Sequence, residues 1–259
     1  TQTAGLSVGG NEGGSSNQCE EYNGSSWTAG GNMSVPRFDV AAAGLQTAGL
    51  AFGGFAPSQS PTSSVSTEEY NGTAWTGGGN LGTGRYGGAG AGTQTAGLAF
   101  GGFLPPNTTA TEEYNGSSWT AGGALSAATK YLAGCGTQTA ALAFGGETPS
   151  VADANATFEY DGSSWTNGGN LNTARQRLAG SGIQTAALAF GGNVVPLGAT
   201  EEYNGTAWTT TTTMSFGRRA LAGCGATSAL SLAFGGTPPD TAATEEFSAG
   251  PVTVTISGS

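Results

Sequence analysis

The stretch Thr95-Ala-Gly-Leu-Ala-Phe-Gly-Gly102, followed after a loop by Thr111-Glu-Glu-Tyr-Asn-Gly-Ser-Ser-Trp119, decides how this chain folds. Leu98 and Phe100 alternate with Gly97 and Ala99, the period of two that sends successive side chains to opposite faces of a β-strand. One face is bulky and the other nearly bare. The phrase then recurs, with glycine doublets at Gly9-Gly10, Gly53-Gly54, Gly101-Gly102, Gly145-Gly146, Gly191-Gly192 and Gly235-Gly236, spaced by 44, 48, 44, 46 and 44 residues. So regular a period, too short for six separate domains, marks units that bury their apolar faces only against one another.

Each unit reads as four strands: a Gly/Ala-rich segment, the run ending in the doublet, the Thr-Glu-Glu-Tyr piece, and a piece opened by tryptophan. Units fall at approximately 1–32, 33–80, 81–124, 125–170, 171–213 and 214–259. The Leu/Phe face of one small sheet fits the Gly/Ala face of the next. Repetition about an axis then predicts an all-β fold, a six-bladed β-propeller of four-stranded antiparallel blades. Asn-Gly between Tyr and Trp, as at Asn71-Gly72, Asn115-Gly116 and Asn204-Gly205, predicts a tight hairpin because both residues tolerate positive φ. Only five Gly/Ala-rich segments serve six doublets, so blade one lacks an inner strand of its own. The tail Pro251-Val-Thr-Val-Thr-Ile-Ser257 alternates Val252, Val254 and Ile256. It has three uses open to it: the outer strand of blade six, the inner strand of blade one, or donation to another subunit, since an unpaired edge invites strand addition.

The order of doublet, tyrosine, tryptophan and then an arginine before the next inner strand (Arg37, Arg85, Arg175, Arg218) resembles the kelch repeat of β-propellers, over essentially all 259 residues. The chain departs from that pattern in three places. Four residues separate Tyr114 from Trp119, where kelch repeats have about six. Thr129, beside Lys130, replaces the arginine in the fourth unit, and that unit reads Thr157-Phe-Glu-Tyr160. The near-verbatim phrases TEEYNGSSW and TQTAALAFGG are similar to those of kelch-like proteins of marine tailed bacteriophages. That resemblance implies a virion or host-facing role, and so a virion or extracellular location. It implies nothing about chemistry, because fold and function are separable.

Composition bounds the partners. A net charge of −10 with only 7 Lys and Arg argues against nucleic acid, whose phosphates must be neutralised by clustered cations. No apolar run approaches the roughly 18–20 residues of a membrane helix, so no membrane insertion is expected. Cys19, Cys135 and Cys224 are too few for a disulfide framework or a metal site and read as small packing residues. The inner segments, such as Ala-Gly-Cys-Gly136 and Ala-Gly-Ser-Gly182, hold no acid, base or nucleophile, so neither catalytic nor metal residues are assigned and no cofactor is expected. The kelch family includes a copper radical oxidase, but such a site needs imidazole and phenolate ligands, and this chain has no histidine.

The glutamate pairs are split by the pleat. Their second members, Glu21, Glu69, Glu113, Glu159, Glu202 and Glu246, recur in all six units and are expected to pair with the column Arg37, Arg85, Arg175 and Arg218 as structural ion pairs. All seven Lys and Arg lie between an outer strand and the next inner strand. That places them on the rim that also carries the variable loops after the doublets. Loops on a rigid scaffold are where binding resides, and the candidate contacts are Phe55, Phe103, Leu104, Pro105, Val194, Val195 and Leu197. The expected function is a non-enzymatic structural or recognition module. Its partner would be another structural protein of the assembly, a second copy of the chain, or a cell-surface glycan. The alternative is a carbohydrate-active hydrolase or lyase with a site built on the rim.

Overall fold

The computed structural model describes residues 2–11, 13–59 and 61–248, and the backbone of 253–256. Val252 and the rest of the tail lie outside the described residues. Every regular element described is a strand. Blade one consists of β1 (Gly5–Val8), β2 (Cys19–Tyr22) and β3 (Trp27–Ala29). Blade two runs outward from the axis as β4 (Ala41–Leu45), β5 (Ala48–Phe52), β6 (Thr67–Tyr70) and β7 (Trp75–Gly77). Blade three repeats this with β8 (Ala89–Thr93), β9 (Ala96–Phe100), β10 (Thr111–Tyr114) and β11 (Trp119–Ala121). Blade four follows with β12 (Ala133–Thr137), β13 (Ala140–Phe144), β14 (Thr157–Tyr160) and β15 (Trp165–Asn167). Blade five holds β16 (Ala179–Ile183), β17 (Ala186–Phe190), β18 (Thr200–Tyr203) and β19 (Trp208–Thr210). In blade six, β20 (Ala222–Thr227), β21 (Leu230–Phe234) and β22 (Thr244–Ser248) are joined on the outside by the backbone of β23 (Thr253–Ile256).

Packing between blades follows the bare and bulky faces. A Cβ on Gly90 would stand 2.7 Å from Phe52 Cζ of the preceding blade, and one on Gly180 would stand 2.5 Å from Phe144 Cζ. Gly134 and Gly223 are covered in the same way by Phe100 and Phe190. On the outer side of the same ring sits the next blade's tryptophan, with centroids 4.8–5.0 Å apart for Phe52–Trp119, Phe100–Trp165 and Phe144–Trp208. Phe52, Phe100 and Phe144 are each therefore held between a backbone and an indole, whereas Phe190 has the Phe247 ring in place of the indole. Blade one carries Val8 at this position, and the facing strand has Ala42 where the others have glycine. The smaller side chain leaves room for one methyl.

Three kinds of side-chain donor lock neighbouring blades, and each donor lies on the following blade. Tyrosine hydroxyls donate to the second glutamate of the preceding blade, as Tyr70→Glu21 (2.5 Å), Tyr114→Glu69 (2.6 Å), Tyr160→Glu113 (2.5 Å) and Tyr203→Glu159 (2.5 Å). Indole N–H groups reach the threonine that opens the preceding third strand, as in Trp119→Thr67, Trp165→Thr111 and Trp208→Thr157, each at 2.9 Å. The glutamine of each two-residue turn donates to two carbonyls behind it, such as Gln94 to Gly49 and Tyr70. Blade one closes the ring on blade six through all three: Tyr22→Glu246, Trp27→Thr244 and Gln2→Phe247 O. Between blades five and six, among the described residues, none of the three is made. Phe247 has no hydroxyl, no tryptophan follows Trp208, and the turn at Ala226–Ala229 has a β-bulge and no glutamine. A Ser181–Ser231 hydroxyl contact of 2.5 Å stands there instead.

Two predictions follow from these locks. Burial, reinforced by the bond to glutamate, pushes Tyr22, Tyr70, Tyr114, Tyr160 and Tyr203 from 10.0 up to about 12. The folded form favours the protonated phenol, so the stabilisation is complete below pH 10 and is lost as pH rises towards 12. Tyrosinate absorbance and loss of near-UV circular dichroism should therefore appear together in that window; ionisation at pH 10 in a folded ring would contradict the locks. Cys19 occupies the threonine position opposite Trp75, whose buried Nε1 faces only the thiol sulfur, a weaker acceptor than a hydroxyl. Cys19→Thr should restore the acceptor and stabilise by about 1 kcal/mol, read as an upward shift in Tm.

The Asn-Gly hairpins occur where expected but work differently. Only the glycines, such as Gly24 (φ 93°) and Gly116 (φ 90°), have positive φ. Asparagine instead accepts backbone N–H groups on its Oδ1, as Asn115 does from Ser117 and Ser118, forming an Asx turn. Asp161 does the same in blade four. The backbone and hydroxyl donors of Ser163 and Ser164 lower its carboxyl to about 2.

Candidate binding rim

The arginine column lies beneath the variable loops. Arg37, Arg85, Arg175 and Arg218 are almost wholly buried. They pair with the first glutamate of each pair, not the second: Arg37–Glu68 at 2.8 Å, Arg175–Glu201 at 3.1 Å, Arg218–Glu245 at 3.0 Å, and Arg85–Glu112. This corrects the sequence expectation for Glu21, Glu69, Glu113, Glu159, Glu202 and Glu246. Adjacent strand residues point to opposite faces. The first glutamate faces its own blade's incoming connection, while the second faces the next blade, where tyrosine takes Glu21, Glu69, Glu113 and Glu159. Glu202, opposite Phe247, is exposed.

Arg37 and Arg85 also span the roots of their own loops, Arg85 Nη1 donating to Gly101 O and Ala110 O, while Arg218 Nη2 donates to Ala233 O in the strand. Arg37 Nη1 donates to Gly53 O and Ser66 O, and Arg175 Nη1 to Ala199 O. The paired carboxylates accept backbone N–H groups of the connection, from Ser34 to Glu68, Gly82 to Glu112 and Asn172 to Glu201. Burial lowers the pKa of all four guanidiniums, and the partner carboxylate opposes that shift. Blade four replaces both members at once. Phe158 stands for the glutamate and packs with Leu125, while Thr129 stands for the arginine.

Above this layer, the residue after each arginine position stands across from the residue after each doublet. Phe38 bridges Phe55, Tyr86 bridges Phe103, Lys130 bridges Glu147 and Arg219 bridges Thr237. The two aromatic pairs merge into one ladder, Phe38–Phe55–Tyr86–Phe103, with centroids 5.0, 5.2 and 5.3 Å apart. Its end is capped by Lys130 Nζ, 4.8 Å from the Phe103 centroid and 3.1 Å from Glu147. Such rings, tilted at 41° and 60° or set edge-on at 82°, with a cation over the last one, form a half-exposed apolar strip on rigid backbone.

The next position inward forms a chain around the axis. Gly87 N bonds Asp39 O, Tyr131 N bonds Gly87 O, Arg177 N bonds Tyr131 O and Ala220 N bonds Arg177 O, at 2.6–3.0 Å. All five have positive φ, including the non-glycine residues Asp39 (51°), Tyr131 (54°), Arg177 (55°) and Ala220 (52°). That conformation costs free energy in L-residues and is retained where the surroundings hold it. The Arg177 guanidinium lies 3.8 Å over the Tyr131 ring, whose edge covers Gly87. Burial raises the Asp39 carboxyl, opposed by the Arg177 charge. The rim's inner margin thus offers a carboxyl acceptor, phenols and a guanidinium beside the ladder.

The sequence-predicted contacts are not brought together. Phe55 and Phe103 belong to the ladder. Leu104 (37% exposed) and Pro105 extend from its blade-three end. Val194, Val195 and Leu197 lie on the loop of blade five, where Val195 is 92% exposed and Leu197 packs on Gly217. Sequence reading missed Phe38, Tyr86, Asp39 and Tyr131, and did not single out Lys130 or Arg177. The available signal was that the positions after the arginine and after the doublet are both aromatic in the second and third units. Among the described residues no three His, Cys, Asp or Glu side chains converge to hold a metal. The chain matches no family model and no curated protein.

Proposed function

We propose that this propeller is a non-enzymatic recognition module that holds a glycan on its variable rim, as part of a virion or other extracellular assembly. The observation carrying this reading is the ladder Phe38–Phe55–Tyr86–Phe103, whose continuous, half-exposed aromatic surface suits the apolar faces of sugars. Lys130, Arg177 and Asp39 beside it supply donors and an acceptor for hydroxyl or carboxylate groups. The setting rests on the resemblance of the repeats to kelch propellers and to those of marine tailed phages.

The test is titration of neutral and uronic oligosaccharides followed by NMR shifts of the aromatic side chains. Saturable shifts in Tyr86 and Phe103, abolished in Tyr86→Ala and kept in Val195→Ser, would support the proposal. Binding unaffected by Tyr86→Ala would overturn the ladder as the site. Turnover of the sugar would favour the hydrolase or lyase alternative, and capture of a protein with no glycan response would replace the ligand class.

A further inference from the structure

Every Lys and Arg of the rim is already engaged within the protein. The four arginines of the column are buried against glutamate. Of the other three, Lys130 holds Glu147 at 3.1 Å, Arg177 lies over Tyr131 with its charge acting on Asp39, and Arg219 Nη1 donates to Asn193 Oδ1 at 2.7 Å. The acceptors are the reverse case. The half-buried Asp39 carboxylate accepts no hydrogen bond from the described residues, and the half-buried Tyr86 hydroxyl makes none with them. The two groups are neighbours: burial raises the Tyr86 phenol, and the Asp39 charge raises it further. Asp39 is kept at its positive φ of 51° by the bond from Gly87 N to its carbonyl, 3.0 Å, and strained positions fixed by their surroundings cluster at ligand sites. The loops of blades four and six add Asp153 and Asp240 to the same rim.

We propose that the glycan of the variable rim is electroneutral, anchored beside the aromatic ladder by a hydroxyl that donates to Asp39, and that uronic and sulfated chains are rejected. This rests on the glycan reading above and narrows it. A sugar hydroxyl can donate to the Asp39 carboxylate while accepting from the Tyr86 hydroxyl or the Arg177 guanidinium, so every group finds a partner. A carboxylate or sulfate in the same place meets an acceptor at Asp39, and the cations within reach, Lys130 and Arg177, each keep a carboxylate of their own. Such an anion would give up its water without gaining a counter-charge, the costliest form of desolvation. Selectivity then comes from repulsion of the wrong ligand as much as from attraction of the right one.

The test uses hexamers of glucose, galactose and mannose beside hexamers of the corresponding uronic acids, pairs that differ only in a hydroxymethyl or a carboxylate on each unit. Titrated into the whole chain and read from the ring resonances of Tyr86 and Phe103, a neutral hexamer should give saturable shifts, and its uronic partner should bind more weakly by roughly tenfold or more. Raising the salt concentration should leave the neutral affinity unchanged, because no ion pair forms. Asp39→Asn keeps the size of the side chain, and asparagine tolerates positive φ, so the fold is retained. Neutral binding should then fall by roughly fivefold, as a charged acceptor becomes a neutral one, and the gap between the two partners should narrow. Glu147→Gln, which takes the counter-charge from Lys130, should raise the affinity for the uronic hexamer. A uronic hexamer bound as tightly as its neutral partner would overturn the inference while leaving the glycan reading in place, and so would a gap that Asp39→Asn does not change. Absence of ring shifts with every hexamer would retire the glycan reading itself, and this inference with it.

Discussion

Arg85→Thr should destabilise the ring by about 3–5 kcal/mol, because it leaves the Glu112 carboxylate buried without its counter-charge. Glu112→Phe alone should cost a similar amount by stranding the guanidinium. Made together, the two changes recreate the pair that blade four already carries, Thr129 with Phe158, and should return stability to within roughly 1 kcal/mol of the parent, since a packed apolar replacement for a buried ion pair is often neutral. The Nε atoms of Arg37, Arg175 and Arg218 are buried without hydrogen bonds, which limits what those pairs can contribute over an apolar substitute. Denaturant midpoints of the single and double variants give the coupling directly. A double variant no better than the sum of the singles would refute the equivalence of the two arrangements.

Phe100→Ala is the second large effect, with an expected loss of about 3–5 kcal/mol. The ring is wholly buried between the Gly134 backbone and the Trp165 indole, so its removal opens a cavity that neither rigid wall can fill. The first interface shows how a smaller residue is accommodated, with Val8 facing the strand that carries Ala42. Phe100→Val should therefore regain part of its lost stability when Gly134→Ala is added, whereas Gly134→Ala alone should overpack and cost about 1–3 kcal/mol. If the pair were as unstable as the sum of its members, the graded fit between blades would not be what holds them.

The blade count, the strand positions and the bulky-to-bare stacking could be read from the chain because the doublets recur six times, the inner segments five, and the strands obey a period of two. The partners of the arginines could not. Glu68 and Glu69 are equally acidic and adjacent in sequence, and only the direction each faces across the blade decides that arginine takes one and Tyr114 the other. The glutamines of the uniform turns gave no signal, because their work is done on carbonyls of the blade behind. The Asn-Gly turns were placed correctly for a reason that holds only for the glycine. The rim contacts were half legible: Phe55 and Phe103 stood out as apolar loop residues, but Phe38 and Tyr86 lie seventeen residues upstream of them, and the pairing exists only once the ring is closed.

The locks point backwards around the ring, and blade six has lost the three donors it would offer to blade five. Thermal or mechanical stress should therefore part the molecule at that joint first. The propeller would open like a split washer, with blade six swinging out while still riveted to blade one.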